Sequence, residues 1–124
     1  MTIKTGQKTF NFGIKVPDEK AGEVEAAIRI HAQWMRDTHS LDDSKIRLVH
    51  YYASKSPDFK NPMNPEEGTT GHTVFSINEV YVVPEGIGEH LAAAQQWSDF
   101  PGFFSMLTTY GEVLVLGGDV IETL

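Results

Sequence analysis

From Lys8 to Val16 the chain alternates. Phe10, Phe12, Ile14 and Val16 fall on one side; Thr9, Asn11, Gly13 and Lys15 fall on the other. Period two over such a span specifies a half-buried strand. A strand apolar on one face needs a second layer to cover that face. The layer follows at once. Pro17-Asp18 stops the strand, with Asp18 expected as a helix N-cap. From Glu19 to Thr38, Val24, Ala27, Ile28, His31, Trp34 and Met35 recur at three- and four-residue steps, which is one stripe of an amphipathic helix.

The pattern then repeats with an extra strand. After a turn at Ser40–Ser44, Ile46–Ala53 is predicted as a second strand, with Ile46, Leu48, His50 and Tyr52 on one face and Arg47, Val49, Tyr51 and Ala53 on the other. Residues 54–71 carry Pro57, Pro62 and Pro65 with Asn61, Asn64 and Gly68. That composition predicts a long loop inserted in the domain, a projecting hairpin extension that folds over a partner or a cavity mouth. His72–Val83 is a third strand, with Thr73, Phe75, Ile77, Glu79 and Tyr81 sharing a face. Pro84 suits the first turn of a helix reaching about Trp97, with Ile87, His90, Leu91 and Ala94 inward. A shorter helical piece, Asp99–Tyr110, carries Phe103, Phe104, Met106 and Leu107. Glu112–Leu116 is the fourth strand, and Val120-Ile121 could add a short fifth.

The order is therefore βαββαβ. It predicts a single α+β domain over residues 1–124, of ferredoxin-like plan, with a four-stranded antiparallel sheet and both helices on one face. The other face is mixed: Thr9, Asn11 and Gly13 on the first strand, Asn78 or Glu79 on the third. Such a face calls for a cover, and a second copy of the chain is the expected one, making a homodimer.

Composition narrows the function classes. The net charge is −7 and the ten Lys and Arg residues are scattered singly, so no basic patch is available for nucleic acid or an anionic membrane surface. There is no cysteine, which excludes disulfides, thiolate metal sites and a Cys nucleophile. No apolar run approaches the ~20 residues that span a bilayer, and Met1–Gln7 is polar, so the expected location is the cytoplasm.

The stretch Ile77-Asn78-Glu79-Val80-Tyr81-Val82-Val83-Pro84-Glu85-Gly86-Ile87-Gly88-Glu89-His90-Leu91 resembles the antibiotic biosynthesis monooxygenase-like group of dimeric α+β barrel proteins. In that group a third strand ends in Glu-x-aromatic, an acidic pair opens the second helix, and a His follows within two turns. Glu79, Tyr81, Glu85 and His90 match. The likeness covers the second half of the chain; the first half agrees in element order only, and the segment 54–71 departs from it. The resemblance implies a homodimeric barrel. It leaves open cofactor-independent oxygenases and cyclases of aromatic polyketides, haem-degrading enzymes and isomerases.

His31 and His90 lie on the inward stripes of helices that this plan sets side by side, so they are expected to line one cavity, with Trp34 and Tyr52 nearby. His50 and Tyr52, two apart on one strand, join them as candidate acid–base residues, since imidazole titrates near neutrality. Trp34, Trp97, Phe100 and Phe104 would make the cavity suit a flat, apolar or aromatic ligand. His39 and His72 stand at element ends and are expected in solvent. No His-x-His, His-x₃-His or His-Glu-x-x-His spacing occurs, so neither a metal nor any other cofactor is expected. The leading expectation is a cofactor-independent oxygenase or cyclase on a small aromatic or polyketide-like molecule. The alternatives are a non-catalytic small-molecule binder and an interaction module using residues 54–71.

Overall fold

A computed structural model describes residues 2–124. The elements are β1 (Lys8–Pro17), α1 (Ala21–Thr38), β2 (His39–Ser40), β3 (Ile46–Phe59), β4 (Thr69–Tyr81), α2 (Glu85–Ala94), α3 (Phe100–Tyr110) and β5 (Gly111–Asp119). The sheet order is β2-β3-β4-β1-β5. β1 pairs antiparallel with both β4 and β5, and β3 pairs antiparallel with β4. The expected four-stranded antiparallel sheet is thus corrected to a five-stranded mixed one. The added strand is the two-residue β2, which pairs parallel with Ile46 and Arg47 at the sheet's edge. Val120-Ile121 form no strand. Instead Gly6 N–H donates to Val120 C=O, and Val120 N–H donates to Gln7 C=O, at 2.8 Å each. Among the described residues no helix is long and apolar enough to cross a membrane.

The alternation of β1 does what it specifies. Phe10, Phe12, Ile14 and Val16 are buried, and with Phe75, Ile77 and Tyr81 of β4 they meet Val24 and Ile28 of α1 and Phe103 of α3. Burying a side chain of that size contributes about 1.5–3 kcal/mol, so these rows set the register. On the opposite face Asn11 Nδ2 donates to Asn78 Oδ1 (2.9 Å), and Asn78 Nδ2 to Ser76 Oγ (3.0 Å).

Three local expectations are corrected. Asp18 does not cap α1: Asp18–Lys20 form a single 3₁₀ turn, and the Asp18 carboxylate accepts from Thr73 Oγ1 at 2.8 Å. Residues 54–71 are not a long loop; β3 and β4 run on as a hairpin arm closed by the segment 60–68. Pro57 is tolerated because β3 is an edge strand there, where a missing N–H breaks no ladder bond. Third, the register of β3 against β4 shifts between Leu48 and His50: Leu48 pairs with Tyr81, His50 with Val80 and Tyr51 with Glu79. Val49 is the extra residue of a bulge. Beyond it every side chain changes face relative to simple alternation.

One close approach fixes α2. A Cβ at Gly86 would lie 2.7 Å from Tyr81 Cδ1. Only a bare Cα lets the first turn of α2 press on that ring.

Candidate functional site

The bulge decides which phenol reaches the interior. Tyr51 points under α1 and its hydroxyl pairs with His31 Nδ1 at 2.9 Å. His50 and Tyr52, expected in the cavity, lie on the other face and are exposed. His31 is held in an aromatic box: its ring stacks on Phe103 (centroids 4.6 Å apart, 4° between planes) and meets Phe12 edge-on.

His39 is corrected as well. It is buried, not solvated, because β2 folds the end of α1 back against β3 and carries this side chain inward. Thr38 Oγ1 donates to the Trp34 carbonyl (2.7 Å) and lies 2.7 Å from His39 Nδ1. His39 Nε2 lies 3.0 Å from His90 Nδ1. The Thr38 proton is committed to the carbonyl, so His39 must donate from Nδ1. A neutral His39 then accepts at Nε2, and His90 donates from Nδ1. The remaining nitrogen of His90, Nε2, carries a lone pair. It faces Glu79 Oε1 at 3.7 Å, too far for a hydrogen bond.

Glu79 is the residue that alternation placed between the two sheet faces without deciding. It is fully buried among Phe75, Ile77 and Tyr81, on the helix side. Tyr81 donates to its Oε1 at 2.5 Å, and its Oε2 has no partner among the described residues. Burial dominates the electrostatics here, because a charge is costly to bring out of water. It pushes the Glu79 carboxyl up to about 8, opposed by the Tyr81 hydrogen bond. It pushes His31 and His90 down to about 3 and His39 to about 4. The phenols of Tyr51 and Tyr81 rise by the same burial, reinforced by Glu79.

A cavity of about 370 Å³ opens between β1, α2, α3 and β5. His31 and His90 both border it, among Phe10, Phe12, Phe103 and Leu107. Of the expected aromatic lining, Trp97, Phe100 and Phe104 are on its wall; Trp34 stands behind, stacked on Trp97 at 5.1 Å. The size suits a small organic ligand and the lining is mostly apolar. A more open groove of about 430 Å³ lies between α1 and β3, walled by Tyr51, Tyr52 and the Glu25–Arg29 and Glu25–Lys55 ion pairs. It holds no buried titratable pair, so the chemistry belongs to the first cavity.

One ring nitrogen of His31, one of His90 and a carboxylate oxygen of Glu79 lie within 4.8 Å of one another. Spacing rules could not find this set, because its members come from α1, β4 and α2.

No protein-family model and no curated protein matches the chain. Among solved structures it is similar to the "Putative antibiotic biosynthesis monooxygenase from Nitrosomonas europaea", at 12% sequence identity and a TM-score of 0.51. The match covers 95% of each chain. The two chains share a fold, an α+β fold of the ferredoxin-like plan expected from the element order. At that identity the likeness is one of fold.

Proposed function

We propose that this protein is an enzyme of oxygenase or cyclase type acting on a small, flat, mostly apolar molecule, aromatic or polyketide-like. The ligand lies against Trp97, Phe100 and Phe104 and turns a hydroxyl or an activated C–H toward His90. The observation that carries this reading is the Trp34–Thr38–His39–His90 chain, which leaves Nε2 unprotonated on a ring that borders an apolar cavity. A base needs a free lone pair, a fixed ring and an approach for the substrate. His90 Nε2 takes the proton and the ligand keeps the electron pair as an enolate or phenolate, whose charge beside the imidazolium offsets the burial that lowers the free ring. Tyr51 holds the His31 ring, which borders the cavity on the side of the ligand's oxygen. The enzyme works as a homodimer, its uncovered sheet face, with Asn11 and the exposed Val115 of β5 side by side, packing on a second copy.

A chromogenic phenol tests this. 4-Nitrophenol is yellow only when ionised. Added to the protein at a pH below its own pKa, it is expected to bind and turn yellow, and His90→Gln is expected to bind it without the colour. Absence of binding, or equal ionisation in His90→Gln, would overturn the reading.

A further inference from the structure

We propose that His31, His90 and Glu79 bind one divalent transition-metal ion, of the zinc, cobalt or iron(II) kind, at the inner end of the cavity.

Geometry comes first. The three potential ligand atoms lie within 4.8 Å of one another, and the His90 Nε2–Glu79 Oε1 separation is 3.7 Å. Ligands at ~2.1 Å from a common ion stand ~3–3.5 Å apart. Small side-chain movements therefore close the set around an ion, with no change of backbone.

The surroundings are those of ligands rather than of core polar groups. Each of the three has its other polar atom, or the same carboxylate oxygen, gripped from behind. Tyr51 holds His31 Nδ1, His39 holds His90 Nδ1, and Tyr81 donates to Glu79 Oε1. Outer partners of this kind orient metal-binding imidazoles and carboxylates and set their tautomers.

A third observation is an unmet need. The His90 Nε2 lone pair faces an oxygen that already accepts from Tyr81, and two acceptors oppose each other across 3.7 Å. Glu79 Oε2, fully buried, has no donor at all among the described residues. Orphaned buried acceptors are costly. A cation between them satisfies both, and on binding it displaces whatever proton the group shares.

The donor set chooses the ion. Two imidazoles and one carboxylate, without sulfur, suit zinc and the neighbouring first-row ions, not calcium or magnesium. Three protein ligands leave coordination positions open, and His31 and His90 border the cavity. This inference rests on the reading above that the ligand's oxygen comes to this end of the cavity. In the loaded protein the ion replaces His90 as the centre that makes the anion. Metal-bound hydroxide takes the proton of the ligand's hydroxyl and leaves as water, and the ligand's oxygen takes its place on the ion. No electron changes hands in that step.

The test uses the full chain, stripped with a chelator, and cobalt(II) as the probe with no organic ligand present. The expected result is one tightly bound ion per chain, with a visible absorption band of a low-coordinate site. His31→Gln and His90→Gln are each expected to lose the band. His39→Gln, which removes only an outer partner, should weaken binding by ~10–100-fold. Because core variants can fail to fold, zinc is also added to the wild-type protein while its histidine nitrogens are followed by NMR. The Nε2 signals of His31 and His90 should move together. Movement confined to the exposed His50 and the half-buried His72, or no cobalt band, would overturn the metal site. Cobalt binding without ionisation of 4-nitrophenol by the metal-free protein would keep the site and remove the base; the converse result would remove the site alone.

Discussion

His39 Nε2 and His90 Nδ1 face each other at 3.0 Å, and the proton between them belongs to His90. The assignment follows from a bond two links away, where Thr38 gives its only proton to the Trp34 carbonyl. A single hydroxyl on α1 thereby sets the tautomer of a ring on α2.

That relay predicts the effect of Thr38→Val. Without the hydroxyl, His39 Nδ1–H loses its acceptor and the reason for its tautomer. The expected loss is about 1–3 kcal/mol of stability, the cost of a buried orphaned donor. Nitrogen NMR should show His90 protonated at Nδ1 in the wild-type protein and a mixture of tautomers in the variant. A wild-type His90 protonated at Nε2 would refute the relay.

The buried titratable groups predict a stability maximum near neutrality in the metal-free protein. His31, His39 and His90 have folded values near 3, 4 and 3, below the usual 6.5. Their contribution is complete above the unfolded value and is lost as pH falls toward the folded ones. Glu79 is opposite: raised to about 8 from 4.5, it contributes fully below its unfolded value and loses that contribution as pH rises through 8. Between 4.5 and 6.5 unfolding takes up three protons on the histidines and releases one from Glu79. Each net proton is worth about 1.4 kcal/mol per pH unit. Stability should thus fall by about 3 kcal/mol per unit on the acid side and about half as steeply on the alkaline side. Urea unfolding with a chelator present, from about pH 5 to 8, checks this, and Glu79→Gln should flatten the alkaline limb. A level profile in the wild-type protein would contradict the burial argument.

Gly86→Ala should be destabilising although alanine is the better helix former. The added methyl would sit 2.7 Å from the Tyr81 ring, and relieving such overpacking costs about 1–3 kcal/mol. Thermal unfolding measures it. Gly88→Ala, two residues along with open space around its Cβ, should be stabilising by about 0.5–1 kcal/mol.

Dimerisation through the open sheet face predicts that Val115→Glu, beside Asn11 on that face, shifts the protein to monomers at micromolar concentration. The Val115 side chain is exposed in the single chain, so a monomer would tolerate the charge. Analytical ultracentrifugation of wild type and variant decides it; a wild-type monomer would end the proposal.

Much of the fold was legible because periodicity and burial agree. The β1 alternation, the α1 stripe and the Ile77–Leu91 stretch all lie where their patterns put them. His31 and His90 were found for the same reason, as polar residues on apolar stripes. Glu79 carried a signal too, the one carboxylate in the row Phe75, Ile77, Tyr81. His39 carried none. Its burial depends on the two-residue β2, whose parallel pairing is a long-range event. Tyr51 was lost to Tyr52 and His50 because a bulge leaves no mark in the alternation on either side of it.

That extra residue at Val49 works as a selector. A regular strand would present His50 to His31; the bulged one presents Tyr51, so the count of residues along β3, and not only their kinds, chooses the partner that holds His31 from behind. A protein of this fold could exchange a phenol for an imidazole at this place by sliding one strand a single step, with every side chain unchanged.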